Sequence, residues 1–241
     1  MKTLKNILIV TVFVCLLSAC KSTQYYYQIS QTKPVDESIV KSDNDDNGYY
    51  YQDENCRVAY NFWCEKGDAG FVITNLTDQV LYVMMDKSFF IKNGVSYDYF
   101  KNQNTTEVSA GKTVVTNENR IIGIAPHASK EISKYFIYTQ VYLNCDLDRK
   151  PKSKAPATMT FTLQNSPVVF GNYITYKVGN EGQEVGVTNL FYTNRVTNYL
   201  KDDLFFTEKR YNCPNVSDMK EYTQTLIRFA PTTGYFVTYV K

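Results

Sequence analysis

The chain is a succession of short apolar and aromatic runs broken by turn residues, most plainly between Cys56 and Phe100. Val58, Tyr60 and Phe62 share one parity before Gly67-Asp-Ala-Gly70 turns the chain. Residues 71–74 form the next run, closed by Asn75-Leu-Thr-Asp78; residues 80–85 follow, then Phe89-Phe-Ile91, the dipeptide Asn93-Gly94, and Val95, Tyr97 and Tyr99 in alternation. β-Branched and aromatic residues in runs of about 4–8, bounded by Gly, Asn and Asp, predict strands. Asn-Gly predicts a tight hairpin turn because both of its residues tolerate positive φ. The segment predicts an antiparallel meander forming half of a sandwich.

The same pattern continues less cleanly downstream. Residues 101–119 are rich in Asn, Thr and Ser and read as a long loop holding one edge strand around Thr113-Val-Val115. A strand at 121–124 leads through Pro126-His-Ala-Ser129 into a strand or short helix over 131–138. Residues 158–163 alternate, 166–178 read as two short strands around Gly171-Asn172, and 185–192 form another strand. Residues 193–206 read as irregular or as a continuing strand, 208–219 as loop, 220–229 as a short helix or strand, and 235–240 as the closing strand. Roughly ten to twelve short strands with no sustained 3.6-residue period predict an all-β, antiparallel β-sandwich, Ig-like or related. A basic, Pro-containing run, Arg149-Lys-Pro-Lys-Ser-Lys154, reads as a solvated loop. If the sandwich divides into two packed β subdomains, the boundary falls near 145–157.

The N-terminus is of a different kind. Lys2 and Lys5 precede an apolar stretch over 7–17, of signal-peptide length and too short to span a bilayer as a mature helix. It ends Leu17-Ser-Ala-Cys20, small residues before a Cys, followed at once by polar Lys21-Ser-Thr-Gln24. This is similar to a bacterial lipobox and predicts a lipoprotein signal peptide over 1–19 and diacylation of Cys20, anchoring the chain to a membrane surface outside the cytoplasm. The organisation expected is a lipid anchor and flexible tether over 20–55, then a β-sandwich domain over 56–241. Charge adds little: 26 Lys+Arg face 24 Asp+Glu, and without Lys2 and Lys5 the balance is 24 to 24. A neutral chain gives no electrostatic case for nucleic acid.

Candidate chemistry is sparse. Asp43-Asn-Asp-Asp-Asn-Gly48 with Glu54 matches the spacing of a calcium loop, with Asp43, Asp45, Asn47 and Glu54 as oxygen ligands, but no helical pattern flanks it. The competing reading is a solvated acidic linker. His127, the single histidine, sits beside Pro126 and reads as an exposed turn residue. It has no second His and no Cys or Glu at ligand spacing. A hydrolase would need a carboxylate site, and Asp146, Asp148, Asp202 and Asp203 are the acidic pairs outside the tether. With Cys15 in the signal and Cys20 lipidated, Cys56, Cys64, Cys145 and Cys213 leave disulfides open, as they do free buried thiols. Cys56 and Cys64 on one strand would lie about 26 Å apart, so a bond from either would reach Cys145 or Cys213. The 21 Tyr and 14 Phe suit pleated sheet faces, and exposed ones would suit stacking on sugar rings.

Taken together, the lipobox, the Tyr25-Tyr-Tyr27 that follows it, Glu54-Asn-Cys-Arg-Val-Ala-Tyr-Asn-Phe-Trp63, Gly70-Phe-Val-Ile-Thr-Asn75, Ser88-Phe-Phe-Ile-Lys-Asn-Gly94, Tyr97-Asp-Tyr99 and Pro126-His-Ala-Ser-Lys130 resemble uncharacterised lipoproteins of gut Bacteroidales. The resemblance implies an outer-membrane lipoprotein and carries no activity or cofactor. Surface-exported lipoproteins of that phylum bear an acidic signal after the lipidated Cys; Lys21-Ser-Thr-Gln24 has none, which favours the periplasmic leaflet. The function expected is a non-enzymatic binding or envelope-assembly module. The alternatives are a surface glycan-binding protein or calcium-dependent adhesin, and a hydrolase with a carboxylate site.

Overall fold

Period-two alternation of buried and open positions builds the fold strand by strand. In β4 (Cys56–Tyr60) and β5 (Phe71–Asn75) every second side chain is buried, which gives each strand one core face. The computed structural model describes residues 25–43, 48–101, 104–109, 112–117, 119–138, 157–211, 221–228 and 230–240. The other strands are β1 (Tyr25–Pro34), β2 (Val40–Lys41), β3 (Tyr49–Gln52), β6 (Leu81–Met84), β7 (Phe89–Lys92), β8 (Val95–Asp98), β9 (Asn104–Ser109), β10 (Lys112–Asn117), β11 (Ile121–Ile124) and β12 (Ser129–Ile132). Then come β13 (Ala157–Thr160), β14 (Val169–Val178), β15 (Val185–Leu200), β16 (Phe205–Tyr211), β17 (Glu221–Ile227) and β18 (Gly234–Val240). The protein is an all-β antiparallel sandwich.

One nine-stranded sheet runs β11-β6-β14-β15-β1-β18, with β13 added to β15, β7 to β14 and β8 to β7. The five-stranded sheet runs β12-β5-β4-β3-β2. Two further ribbons, β9–β10 and β16–β17, pair within themselves. Rings from both sheets interlock in the core. Phe62, which follows β4, meets Phe170 of β14 and Phe191 of β15 edge-on at centroid distances of 5.1 and 4.9 Å. Tyr60 meets Phe191 at 4.9 Å. Such pairs contribute about 0.5–1.5 kcal/mol each beyond their burial.

The structure corrects several expectations. The sandwich includes residues from Tyr25 onward, not only those from Cys56. Residues 25–34, expected in the tether, form an interior strand paired with β15 from Tyr26 to Pro34 and with β18 from Tyr25 to Gln31. This strand carries no apolar run; Ser30 and Thr32 are buried beside Tyr26 and Ile29, and Thr32 donates to the Thr233 carbonyl at 2.7 Å. Hydrogen bonding rather than hydrophobic period seats it. Two subdomains meeting near 145–157 are not found either, because β6 and β7 from before that boundary pair with β14 from after it. The loop expected over 101–119 holds the β9–β10 hairpin. Residues 193–200 continue β15, and the segments around 208 and 221 pair as β16 and β17. The break expected at Gly171 is absent: β14 runs through it, and a Cβ there would lie 1.9 Å from the Asn189 carbonyl oxygen. Glycine permits the close approach of two strands instead of ending one.

Candidate functional site

A groove of about 730 Å³ opens between the β7–β8 hairpin and residues 134–136. The hairpin wall follows from local sequence. Asn93 and Gly94 adopt φ of 48° and 77°, the two positive values a tight hairpin turn requires. The resulting register sets Phe90 opposite Tyr97 and Lys92 opposite Val95, so these four side chains share one face. The turn is fastened to β14: the Asn93 amide donates to the Val169 carbonyl at 2.7 Å, and its Oδ1 accepts from the Val169 amide at 2.9 Å.

The opposite wall is organised by Asp68. Its carboxylate accepts from the backbone amides of Gly70 (2.8 Å), Lys134 (2.7 Å) and Tyr135 (2.9 Å). These bonds hold Lys134 at φ 77°, a conformation that non-glycine residues adopt only when their surroundings impose it. Behind the groove a chain of rings leads inward. Tyr97 meets Phe90 at 5.8 Å, Phe90 meets Tyr135 at 6.0 Å, Tyr135 meets Tyr99 at 4.4 Å, and Tyr99 meets Phe71 at 6.1 Å. The buried Tyr99 hydroxyl accepts from Asn172 Nδ2. At the mouth two rings stay open to solvent, Tyr97 at 48 % and Phe136 at 46 %. Lys92 is half-buried beside them, and burial holds its ammonium below the usual lysine range. Among the described residues that ammonium makes no hydrogen bond or ion pair. Lys101, Lys134, Ser96 and Asp98 complete the polar lining.

The groove lies far from the Tyr25 end of β1. Lys92 pairs with Phe170, Phe170 with Phe191, and Phe191 with Pro34. The groove is thus level with the Pro34 end of β1, about 30 Å from the Tyr25 end at the usual strand rise.

A second polar cluster ties the sheets together on the other side of the core. Asp53, in the β3–β4 turn, accepts at Oδ2 from the Tyr176 hydroxyl (2.7 Å) and the Tyr51 hydroxyl (3.1 Å). At Oδ1 it accepts from the Asn55 and Cys56 amides, each at 2.8 Å. Burial pushes its carboxyl upward, but the hydrogen bonds from Tyr176, the two amides and Tyr51 outweigh it and hold the group below the usual carboxylate range. The same burial pushes the Tyr51 phenol up to about 12. This arrangement is a structural clamp.

Of the calcium candidates, Asp43 and Glu54 are among the described residues and lie apart. Asp43 lies at one end of β3, where Ser42 N–H bonds to Gly48 O; β3 then runs away from it, carrying Glu54 to the far end, about 17 Å off by strand rise. In this arrangement one ion would not take both Asp43 and Glu54 as ligands. Asp45 and Asn47 lie outside the described residues. His127 is exposed in the turn between β11 and β12 at φ 56°, and its Nε2 pairs with the still more exposed Asp78 at 2.9 Å. Asp202 and Asp203 occupy a single helical turn, Lys201–Leu204; Asp146 and Asp148 lie outside the described residues. Cys56 is a buried free thiol and Cys64 a half-buried one; the disulfide left open for them would involve Cys145 or Cys213, both outside the described residues, as is Cys20.

Sequence reasoning missed the groove. Tyr97 was legible only as a sheet-face residue, Lys92 only as part of the turn motif over 88–94, and Lys134 and Phe136 stood in no motif. The available signal was Phe90, Lys92, Val95 and Tyr97 sharing one face across a well-defined Asn-Gly turn. No protein family, curated protein or solved structure matches this chain.

Proposed function

We propose that the protein is a lipid-anchored, non-enzymatic binding module of the cell envelope, and that the groove beside β8 is its ligand seat. The observation that carries this reading is the groove itself. Half-exposed aromatic rings stand at the mouth over a chain of tilted and edge-on rings, with polar groups at the rim, and the walls are fixed by a tight turn and by the Asp68 carboxylate. Pockets of a few hundred Å³ with aromatic walls and a few placed polar groups are the usual form of ligand sites.

The placement of the anchor fits this role. Leu17-Ser-Ala-Cys20 supports lipidation of Cys20, and β1 begins only five residues later, at Tyr25. Five residues reach at most about 18 Å. An acylated Cys20 would hold the sandwich against the headgroups by the Tyr25 end of β1, with the groove level with the other end. The absence of acidic residues from Lys21-Ser-Thr-Gln24 supports the periplasmic leaflet of an outer membrane.

The test compares the full chain with the Tyr97→Ala/Phe136→Ala variant, both in mild detergent micelles. Each is titrated with a panel of soluble envelope glycans and short peptides. The reading expects at least one component to bind the wild type about tenfold or more tighter than the variant, as removal of central aromatic anchors does. A panel in which no component distinguishes the two proteins contradicts it.

A further inference from the structure

We propose that the groove takes an acidic oligosaccharide, a run of pyranose rings bearing carboxylate or sulfate groups. The inference rests on the binding-module reading above and names its ligand class. Two features carry it. Tyr97 and Phe136 stand half-exposed at an open mouth instead of enclosing a deep apolar pocket. The C–H face of a pyranose is apolar and flat while its rim is a circle of hydroxyls, so a half-open aromatic platform with polar groups beside it complements a sugar. An apolar side chain or acyl group would gain more from full enclosure.

The second feature is charge. The Lys92 ammonium is half-buried with no described partner, and Lys134 stands on the facing wall in a backbone conformation imposed by Asp68. Desolvating an unpaired cation is costly, and an anionic group lying in the groove would offset that cost. Two cations on facing walls also give the groove charge complementarity to an anion. Asp98 supplies an acceptor for sugar hydroxyls at the same rim. Charge complementarity and half-exposed rings together single out an anionic sugar; a neutral glycan would leave Lys92 uncompensated, and a second copy of this chain would bring its own lysines to the groove.

Isothermal titration of the full chain in micelles tests this with defined probes. These are an oligogalacturonate, its methyl-esterified neutral counterpart, a sulfated heparin-derived oligosaccharide and an oligoglutamate peptide. The expected result is binding of the oligogalacturonate, the sulfated oligosaccharide or both, with the neutral sugar weaker by about tenfold or more and a decline with rising salt. Lys92→Gln and Lys134→Gln, each with an unchanged Tm, should weaken the acidic sugar several-fold while leaving the neutral sugar unchanged. Equal affinity for acidic and neutral sugars, both lost in Tyr97→Ala, would overturn the charge assignment while the groove stands as a binding site. Preference for the oligoglutamate, again lost in Tyr97→Ala, would overturn the sugar assignment and leave the groove. Failure of every probe to bind overturns the inference outright, and binding that Tyr97→Ala does not affect overturns both the inference and the reading beneath it.

Discussion

Replacing Asp53 by Ala removes one carboxylate that serves four donors. Asp53 accepts from the Tyr176 and Tyr51 hydroxyls and from the Asn55 and Cys56 amides. Tyr176 is 1 % exposed, so its hydroxyl cannot turn to water, and the partners left to it are Asn55 Nδ2, at 3.4 Å, and the Cys56 thiol. A hydrogen bond to a charged group contributes about 1.5–3 kcal/mol. Asp53 is itself half-buried, so water screens its charge and the lower end of that range applies. Adding the turn amides, which would keep partial access to solvent, gives a loss of about 2.5 kcal/mol. With a urea dependence of about 2–2.5 kcal/mol per molar, the unfolding midpoint at pH 7 should fall by about 1 M. The pH dependence supplies the sharper check. The folded-state carboxyl is held below its unfolded value, so its stabilisation is fully present above the unfolded value near 3.9 and is lost as pH falls through the folded value. The wild type and Asp53→Ala should therefore differ most above about pH 5 and draw together as pH falls below the unfolded value. A midpoint unchanged at pH 7, or a gap that stays constant from pH 7 to pH 2.5, would refute the clamp.

Three other outcomes follow from the packing. Deleting residues 25–34 removes an interior strand bonded on both sides, so the remainder should lose cooperative unfolding by circular dichroism; a soluble product with an unchanged transition would show that the segment is dispensable. Gly171→Ala would place a Cβ 1.9 Å from a carbonyl oxygen and should lower stability by more than about 3 kcal/mol in chemical unfolding, whereas an unaltered midpoint would mean that β14 and β15 can move apart. Burial pushes the Cys56 thiol up to about 12, so iodoacetamide at pH 8 should leave it unmodified in the native chain and label it after urea; rapid native labelling, or a mass showing it in a disulfide, would contradict a buried free thiol.

What could be read from the chain alone depended on which force seats each segment. The strands from β4 to β8 were legible because Val58, Tyr60, Phe71 and Ile73 enter the core at period two and because Asn93-Gly94 specifies its own turn. The single meander expected of them is not formed: β4 and β5 belong to the five-stranded sheet, whereas β6, β7 and β8 belong to the nine-stranded one, where β6 pairs with β11 and β14. Asn75-Leu-Thr-Asp78 was legible for a related reason. Asn75 Oδ1 accepts from the Thr77 amide at 2.9 Å while its Nδ2 donates to the Gln79 carbonyl at 2.7 Å, a local turn with a local signature. β1 was not legible, since Ser30 and Thr32 are buried through hydrogen bonds to distant strands that composition does not announce. The continuity of β14 was hidden because a glycine that admits a neighbouring backbone looks in sequence like one that breaks a strand. The groove was the least legible feature. Its walls are some 40 residues apart along the chain, at 90–98 and 134–136, and they face each other only because Asp68 captures the amides of Lys134 and Tyr135.

The central claim is that this groove is where the protein meets its ligand. The most direct measurement is an amide ¹H–¹⁵N spectrum of the full chain in micelles, followed during titration with an oligogalacturonate. The account predicts saturable shifts confined to Lys92, Ser96–Asp98 and Lys134–Phe136, with the β16–β17 ribbon unmoved. Shifts concentrated on that ribbon, or a spectrum indifferent to the sugar, would contradict it.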